Sequence, residues 1–193
     1  MSVTEDRLFG SLGTTVRVAV IAPDAVSRAD RVEELVRDYD RRLSRFRPAP
    51  SSALNAATTS AVRASPLLID AVAAAMWAVA RSGGLVDPTL LPELERAGYT
   101  ESRKPTGGRA AEGVPLPDGP VRPAAPHPDQ RWRQIGIVRE AGVVHRPAGL
   151  RLDLGGSGKG HVADLAAAEL EGAQRWIIDC GGDLRVGGTA PQV

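Results

Sequence analysis

Residues 152–164 read LDLGGSGKGHVAD, and this stretch with its four glycines constrains the fold more than any other part of the chain. Its start predicts a strand at about 150–154, its glycines predict a loop, and the residues that follow predict a helix at about 160–171. Such a loop leaves unpaired N–H groups at the start of the helix, and these can hold a phosphate. A tight strand-to-helix turn with a solvated Lys159 would produce the same pattern, so both interpretations stay open.

Two common phosphate-binding motifs are absent from this stretch. A P-loop needs a glycine where Asp153 stands and a hydroxyl side chain after the lysine, where Gly160 stands. A dinucleotide fingerprint read from Gly156 and Gly158 would need glycine or alanine in place of His161. Any phosphate site here is therefore of another kind.

The segments upstream predict one strand and two helices. Alternating valines predict a first strand at about 12–21. Apolar residues every three or four positions from Ala25 to Phe46 predict an amphipathic helix of about 18–20 residues. Ser65 and Pro66 begin an apolar run that ends at Ser82-Gly83-Gly84, which predicts a capped and almost fully buried helix.

The segment after this helix allows two roles for one aspartate. Asp87, before Pro88, can start another short helix that ends at Gly98, and it can equally contact a ligand. Residues 100–128 are rich in proline, glycine and alanine and have few large apolar side chains, so they predict a surface insertion.

The second half is rich in predicted strands. Residues 135–138 and 143–145 predict a hairpin, and residues 176–180, a turn at 181–183 and a strand from Leu184 follow. Cys180 is predicted to be a small buried strand residue, and Asp183 to be a turn former or a functional acid. The order of elements predicts a single α+β domain over 1–193, with a mixed sheet and flanking helices.

Composition excludes several classes of protein. The 193 residues include 24 basic and 23 acidic side chains, and a net charge of +1 gives no reason to expect nucleic acid as a partner. A single cysteine cannot form an internal disulfide. His127 and His145 show no metal-ligand spacing. The polar N-terminal residues and the lack of a membrane-length apolar stretch predict a cytoplasmic protein.

The glycine-rich stretch resembles the Asp-Leu-Gly-Gly-x-Ala-Lys-Gly-Tyr-x-x-Asp signature of the ApbE family, the FAD:protein FMN transferases. The matching residues are Asp153, Gly155, Gly156, Lys159, Gly160 and Asp164. Other segments resemble family motifs in the same order: Leu12-Gly13-Thr14, 43–46, 51–55, 85–89, Gly98-Tyr99 and 180–183. Three positions differ, because Leu12, Gly158 and His161 stand where methionine, alanine and tyrosine are usual.

The resemblance implies a T-fold-like architecture and an FAD site. The residues that it implies for FAD binding are Leu12, Phe46, Leu85, Val86, Asp87, Gly155, Lys159 and His161. It also implies Gly158 as a backbone ligand of Mg²⁺. It assigns no catalytic residue within this sequence.

The reaction that the resemblance implies is transfer of FMN from FAD to a serine or threonine hydroxyl of a target protein, with Mg²⁺ and release of AMP. In the family, acidic, threonine and histidine-containing segments follow the last motif. We therefore expect that 1–193 is a C-terminally truncated form with an incomplete metal site, or that a second chain completes the site. The alternatives are a flavin-binding protein without transferase activity and an unrelated nucleotide-phosphate enzyme that uses the 155–160 loop.

Overall fold

The computed structural model describes residues 1–102 and 123–189. The strands are β1 Val3–Ser11, β2 Thr14–Ala22, β3 Ala61–Arg63, β4 Gly136–Val138, β5 Val143–His145, β6 Arg175–Cys180 and β7 Leu184–Gly187. The α-helices are α1 Ala25–Leu43, α2 Pro50–Ala56, α3 Pro66–Arg81, α4 Leu91–Arg96 and α5 Gly155–Glu169, and a 3₁₀ helix spans Arg131–Gln134.

Two antiparallel sheets form the framework. The larger has the order β1-β2-β6-β7 and the smaller has the order β3-β5-β4. Buried residues of β2, β6, α1, α3 and α5 share one apolar core. The α+β class with flanking helices is confirmed, and all described strand pairings are antiparallel.

The first predicted strand is half of a hairpin. Strand β2 starts at Thr14, and Leu12 and Gly13 form the two-residue turn with φ of 56° and 69°. Both left-handed residues suit the tight turn that joins twisted antiparallel strands. Strand β1 has no apolar alternation that would predict it, because it is a charged edge strand in which Arg7 pairs with Glu5, Asp30 and Glu33.

The two long helices begin where the sequence predicts. The side chain of Ser65 accepts a hydrogen bond from the Leu68 N–H (3.3 Å), with Pro66 in the first turn of α3. The predicted burial of α3 is wrong in part, because Trp77 is 67% exposed. Alanines fill much of the buried face of this helix, so the apolar composition did not reveal its open face.

The predicted strand at 150–154 does not form. The side-chain amide of Asn55 instead pairs with both backbone groups of Leu152, donating to its carbonyl (2.8 Å) and accepting from its N–H (2.7 Å). The N–H of Asp153 donates to the Pro88 carbonyl (2.8 Å). An extended segment whose polar groups are paired in this way has no need of a neighbouring strand.

Helix α5 begins at Gly155, five residues before the predicted start near 160, so most of the glycine run is helical. The predicted loop was wrong because glycine permits a helix as well as a turn, at a cost that tertiary packing can offset.

The hairpin of β4 and β5 and the strands β6 and β7 are confirmed. Helix α4 starts at Leu91 rather than at Asp87, and Gly98 follows it with φ of 86°.

Most of the predicted insertion at 100–128 lies outside the described residues, which resume at Pro123. Among the described residues, no helix has the length and apolar character needed to cross a membrane.

Candidate flavin site

A cleft of about 700 Å³ opens where four distant segments meet. Its walls come from the β1–β2 turn, the end of α1 with the following loop, residues 85–90, and the first turn of α5. Ligand clefts in proteins range from about 300 to 1,000 Å³, so this one can hold a sizeable part of a dinucleotide.

The first turn of α5 lines the cleft and leaves one backbone N–H unpaired among the described residues. Gly155 donates to the carboxylate of Asp153 (2.6 Å), and Ser157 and Gly158 both donate to the Leu154 carbonyl. The N–H of Gly156 has no partner among residues 1–102 and 123–189. An unpaired N–H at a helix start can donate to an anion.

A cation packed against two aromatic rings forms a second wall, which adjoins the start of α5 through Asp153. The Arg45 guanidinium lies 4.2 Å from the ring centre of Phe46 and 4.6 Å from that of Tyr99. The two rings contact each other edge to face, with centroids 5.4 Å apart. Arg45 also donates to the Tyr99 carbonyl (2.7 Å) and forms an ion pair with Asp153, with Nε and Oδ2 2.8 Å apart.

Residues 85–89 form a third wall with one polar turn. Asp87 Oδ1 accepts from the N–H of Thr89 (2.8 Å) and from its hydroxyl (2.6 Å), so this aspartate stabilises the turn before α4. These bonds use one carboxylate oxygen and leave Oδ2 for a second role. Leu85 is 52% exposed at the rim, and Val86 lies close to Gly156.

Lys159 and His161 follow the first turn of α5 and lie on different sides of the helix. Lys159 lines the cleft, with Nζ 3.7 Å from a carboxylate oxygen of Asp183. His161 lines a second cleft of about 440 Å³, on the side of α5 that faces α3 and β7. The hydroxyl of Tyr39, which lines the first cleft, shares a 3.1 Å hydrogen bond with Nδ1 of His161. Tyr39 therefore separates His161 from the first cleft.

Burial controls the ionisation of this pair. Desolvation raises the pKa of Tyr39, so its hydroxyl stays protonated. Desolvation also lowers the pKa of His161 below its usual value, although the charges of Asp70 and Asp164 oppose the shift. Both side chains are therefore uncharged at neutral pH.

The structure brings seven of the eight predicted FAD residues and the predicted metal ligand to one cleft. They are Leu12, Phe46, Leu85, Val86, Asp87, Gly155, Lys159 and Gly158. His161 is the exception. Tyr39 and Arg45 are two residues of the site that the sequence did not predict. Apolar periodicity placed Tyr39 only on the buried face of α1, and the one signal for Arg45 was its position before Phe46 in a family motif.

The described residues do not by themselves fit a Mg²⁺ site. No group of three or more histidine, cysteine or acidic side chains in 1–102 and 123–189 could hold a metal ion. Asp153 is paired with Arg45, and Asp40 is paired with Arg47 (2.7 Å). Gly158 could offer one carbonyl, whereas Mg²⁺ usually takes about six oxygen ligands.

Comparison with known proteins supports the fold. The model of the ApbE family matches residues 12–193. The apo flavinyl transferase ApbE of Pseudomonas stutzeri is 21% identical with a TM-score of 0.72, over 98% of this chain and 60% of that chain. The ApbE protein of Thermotoga maritima is 20% identical with a TM-score of 0.73, over 95% and 59%.

The flavin transferase ApbE of Vibrio cholerae is 20% identical with a TM-score of 0.72, over 100% of this chain and 63% of that chain. No curated protein matches. This chain thus spans about 60% of the length of the solved structures that it resembles.

Proposed function

The chain belongs to the ApbE family, whose model matches residues 12–193, and on that premise we propose that it transfers FMN from FAD to a serine or threonine hydroxyl of a target protein. The observation that carries the proposal is the convergence of the predicted FAD residues on one cleft. They come from four segments that are far apart in sequence. Chance would not be expected to bring a family's scattered motif residues together around one space of ligand size.

Each wall has a proposed part in binding. Phe46, Leu85 and Val86 offer apolar surface to the flavin rings, and ring stacking favours such contacts. The N–H of Gly156, which is unpaired among the described residues, and the ammonium of Lys159 offer donors to the pyrophosphate. Asp87 offers a carboxylate oxygen to a hydroxyl of the flavin side chain.

The proposed reaction is a phosphoryl substitution. The hydroxyl oxygen of the target bonds to the FMN-side phosphorus, and the bond from that phosphorus to the bridging oxygen breaks. AMP leaves with the bridging oxygen, and the hydroxyl proton passes to a base. The chain's own residues would position FAD for this step, and such positioning lowers the barrier by removing translational freedom in advance.

Mg²⁺ dependence is part of the proposal, because a metal ion would neutralise the charge that develops at the phosphates. We assign no step to it, since the described residues lack a carboxylate cluster. The same observation favours a second candidate function, a flavin-binding protein without transferase activity. The two candidates share the cleft and differ in the chemistry.

A transfer assay separates these candidates. The purified chain is incubated with FAD, Mg²⁺ and a threonine-containing acceptor peptide, and mass spectrometry measures addition of one FMN. An adduct that forms with Mg²⁺ and does not form when EDTA is present during the incubation supports the transferase. FAD binding without an adduct supports the binding protein, and no FAD binding contradicts both.

A matched pair of variants tests the cleft itself. Leu85 at the rim and Leu8 on β1 are both exposed leucines, at 52% and 67%. Leu85→Asp is expected to weaken FAD binding about tenfold, because it removes apolar contact and adds negative charge near a dianion. Leu8→Asp is expected to bind FAD as the wild type does. Equal affinities of the two variants would place the FAD site elsewhere.

A further inference from the structure

A negative charge lies beside the first turn of α5 and should oppose anion binding there. Asp153 directly precedes Leu154, the N-cap residue of α5, and one of its carboxylate oxygens accepts the N–H of Gly155 at 2.6 Å. A carboxylate here stabilises the helix end, since the helix N-terminus has partial positive charge. The same carboxylate cancels the attraction of that helix end for another anion.

Charges along the cleft show the same difficulty. Its described lining includes three carboxylates, Asp40, Asp87 and Asp153, and two cations, Arg45 and Lys159. The charge of Lys159 is already partly balanced, because its Nζ lies 3.7 Å from a carboxylate oxygen of Asp183 and 3.5 Å from the Gly181 carbonyl oxygen. The carboxylates already outnumber the cations, and without Arg45 they would face Lys159 alone in a cleft that is proposed to take a pyrophosphate.

Arg45 is held beside Asp153, where a positive charge is needed to balance the carboxylate at the start of α5. Its Nε lies 2.8 Å from Asp153 Oδ2, and the side chains of the two residues are 11% and 10% exposed. The guanidinium also lies against the rings of Phe46 and Tyr99 and donates to the Tyr99 carbonyl. Interactions between charges that are this far from solvent are screened only weakly.

We propose that Arg45 is a positioning residue that neutralises Asp153, and so allows the first turn of α5 to accept the pyrophosphate of FAD. Arg45 acts through Asp153 and does not itself need to touch the phosphates. This inference rests on the proposed function, because it takes FAD as the ligand. It gives Asp153 two tasks, which are to order the helix start and to hold Arg45 beside it.

The test is a set of FAD titrations by isothermal calorimetry or flavin fluorescence. Arg45→Met leaves Asp153 uncompensated, so we expect FAD affinity to fall about tenfold. In the double variant Arg45→Met/Asp153→Asn, the amide can still accept the Gly155 N–H and the charge is gone. We expect this second change to restore affinity to within about threefold of the wild type.

A purely structural role for Arg45 gives the opposite pattern. If Arg45 only supported the loop, the double variant would bind FAD no better than Arg45→Met, and this result would overturn the proposal. An Arg45→Met affinity within twofold of the wild type would overturn it as well. Arg41→Met is the matched control, because it removes an exposed arginine paired with Asp38 on α1 (3.0 Å), and it should leave FAD affinity unchanged.

Two further variants keep the test decisive if Arg45→Met does not fold, which thermal unfolding would reveal. Arg45→Lys keeps the positive charge and is expected to retain most of the affinity. Asp153→Asn alone leaves Arg45 with an unbalanced positive charge and is expected to bind FAD more tightly, so weaker binding would contradict the proposal. If the wild type binds no FAD, the proposed function fails instead, and the two failures are distinguishable.

Discussion

Gly158 lies inside α5, where a glycine costs helix stability without an evident need for its flexibility. A Cβ at this position would lie 3.5 Å from the Tyr39 hydroxyl oxygen and 3.7 Å from its ring, which are ordinary contact distances. Gly158→Ala is therefore expected to raise the free energy of unfolding by about 0.5–1 kcal/mol. Urea denaturation followed by circular dichroism measures the change.

Gly155→Ala is the matched control for this prediction. A Cβ at Gly155 would lie 2.8 Å from Asp153 Oδ1, the atom that accepts the Gly155 N–H. This closer approach should displace the carboxylate, so the alanine is expected to lower stability although it is also in α5. A gain of stability in both variants would show that helix propensity alone determines the effect of alanine at these positions. The close approach to Asp153 would then have no effect on stability.

Single residues also explain which parts of the site could be predicted from sequence. Phe46, Asp87 and Gly155 lie in recognisable motifs, so their place in one cleft could be anticipated. The pairing of Asn55 with both backbone groups of Leu152 could not, because an asparagine side chain that replaces a neighbouring strand leaves no periodic signal. Arg45 has the same limitation, since its partners Tyr99 and Asp153 are remote in sequence.

At the scale of elements, apolar periodicity predicted the helices with a clear buried face and missed the elements without one. Helix α1 spans Ala25–Leu43 with buried residues at the predicted spacing. Strand β1 was not predicted because charged pairs occupy this edge strand of the sheet. The start of α5 was predicted too late because the first turn of this helix is mostly glycine, which has a low helix propensity. Both errors come from tertiary contacts that stabilise a segment of weak local preference.

The contact between α1 and α5 should make stability depend on pH. Burial lowers the pKa of His161 below its usual 6.5, where it shares a hydrogen bond with Tyr39. Above pH 6.5 the imidazole is neutral in both states, so folding has no protonation cost. As the pH is lowered below 6.5, the imidazole takes up a proton in the unfolded chain before it does so in the folded protein. The free energy of unfolding therefore decreases as the pH is lowered, until the pKa of His161 in the folded protein is reached.

We therefore expect the free energy of unfolding to decrease between about pH 7 and 5, and His161→Gln to reduce that decrease. The glutamine can still bond the Tyr39 hydroxyl but does not titrate. His145→Gln serves as the control for the substitution itself, because it makes the same exchange at an exposed residue of β5, away from the contact between α1 and α5. A His161→Gln profile that parallels the wild type would show that other groups cause the pH dependence.

At the scale of the whole molecule, the cleft depends on the packing that holds its four segments together. The β1–β2 turn, the end of α1 and the start of α5 adjoin the core residues Phe9, Leu43 and Leu154. Residues 85–90 are tied to the start of α5 by the hydrogen bond from the Asp153 N–H to the Pro88 carbonyl. Ligand binding across these segments should therefore stabilise the entire fold, because a ligand that binds only the folded state shifts the unfolding equilibrium.

Cys180 offers a way to measure this coupling from within the sheet. It lies in β6, opposite Val16 of β2, and is completely buried. Burial, helped by the charges of Asp179 and Asp183, raises the pKa of its thiol to about 11. A protonated and inaccessible thiol reacts slowly, so a disulfide reagent should label it only after the sheet opens.

We expect labelling of Cys180 by a chromogenic disulfide reagent at pH 8 to be slow in the folded protein and fast in denaturing urea. FAD at about one hundred times its dissociation constant should slow the reaction in the folded protein about a hundredfold, which is the population shift for a ligand that binds only the folded state. Labelling as fast in the folded chain as in urea would show that β6 opens without global unfolding. Slow labelling that FAD leaves unchanged would show that the cleft and the sheet are not coupled, because in a cooperatively folded domain a ligand bound at one side must protect a thiol buried at the other.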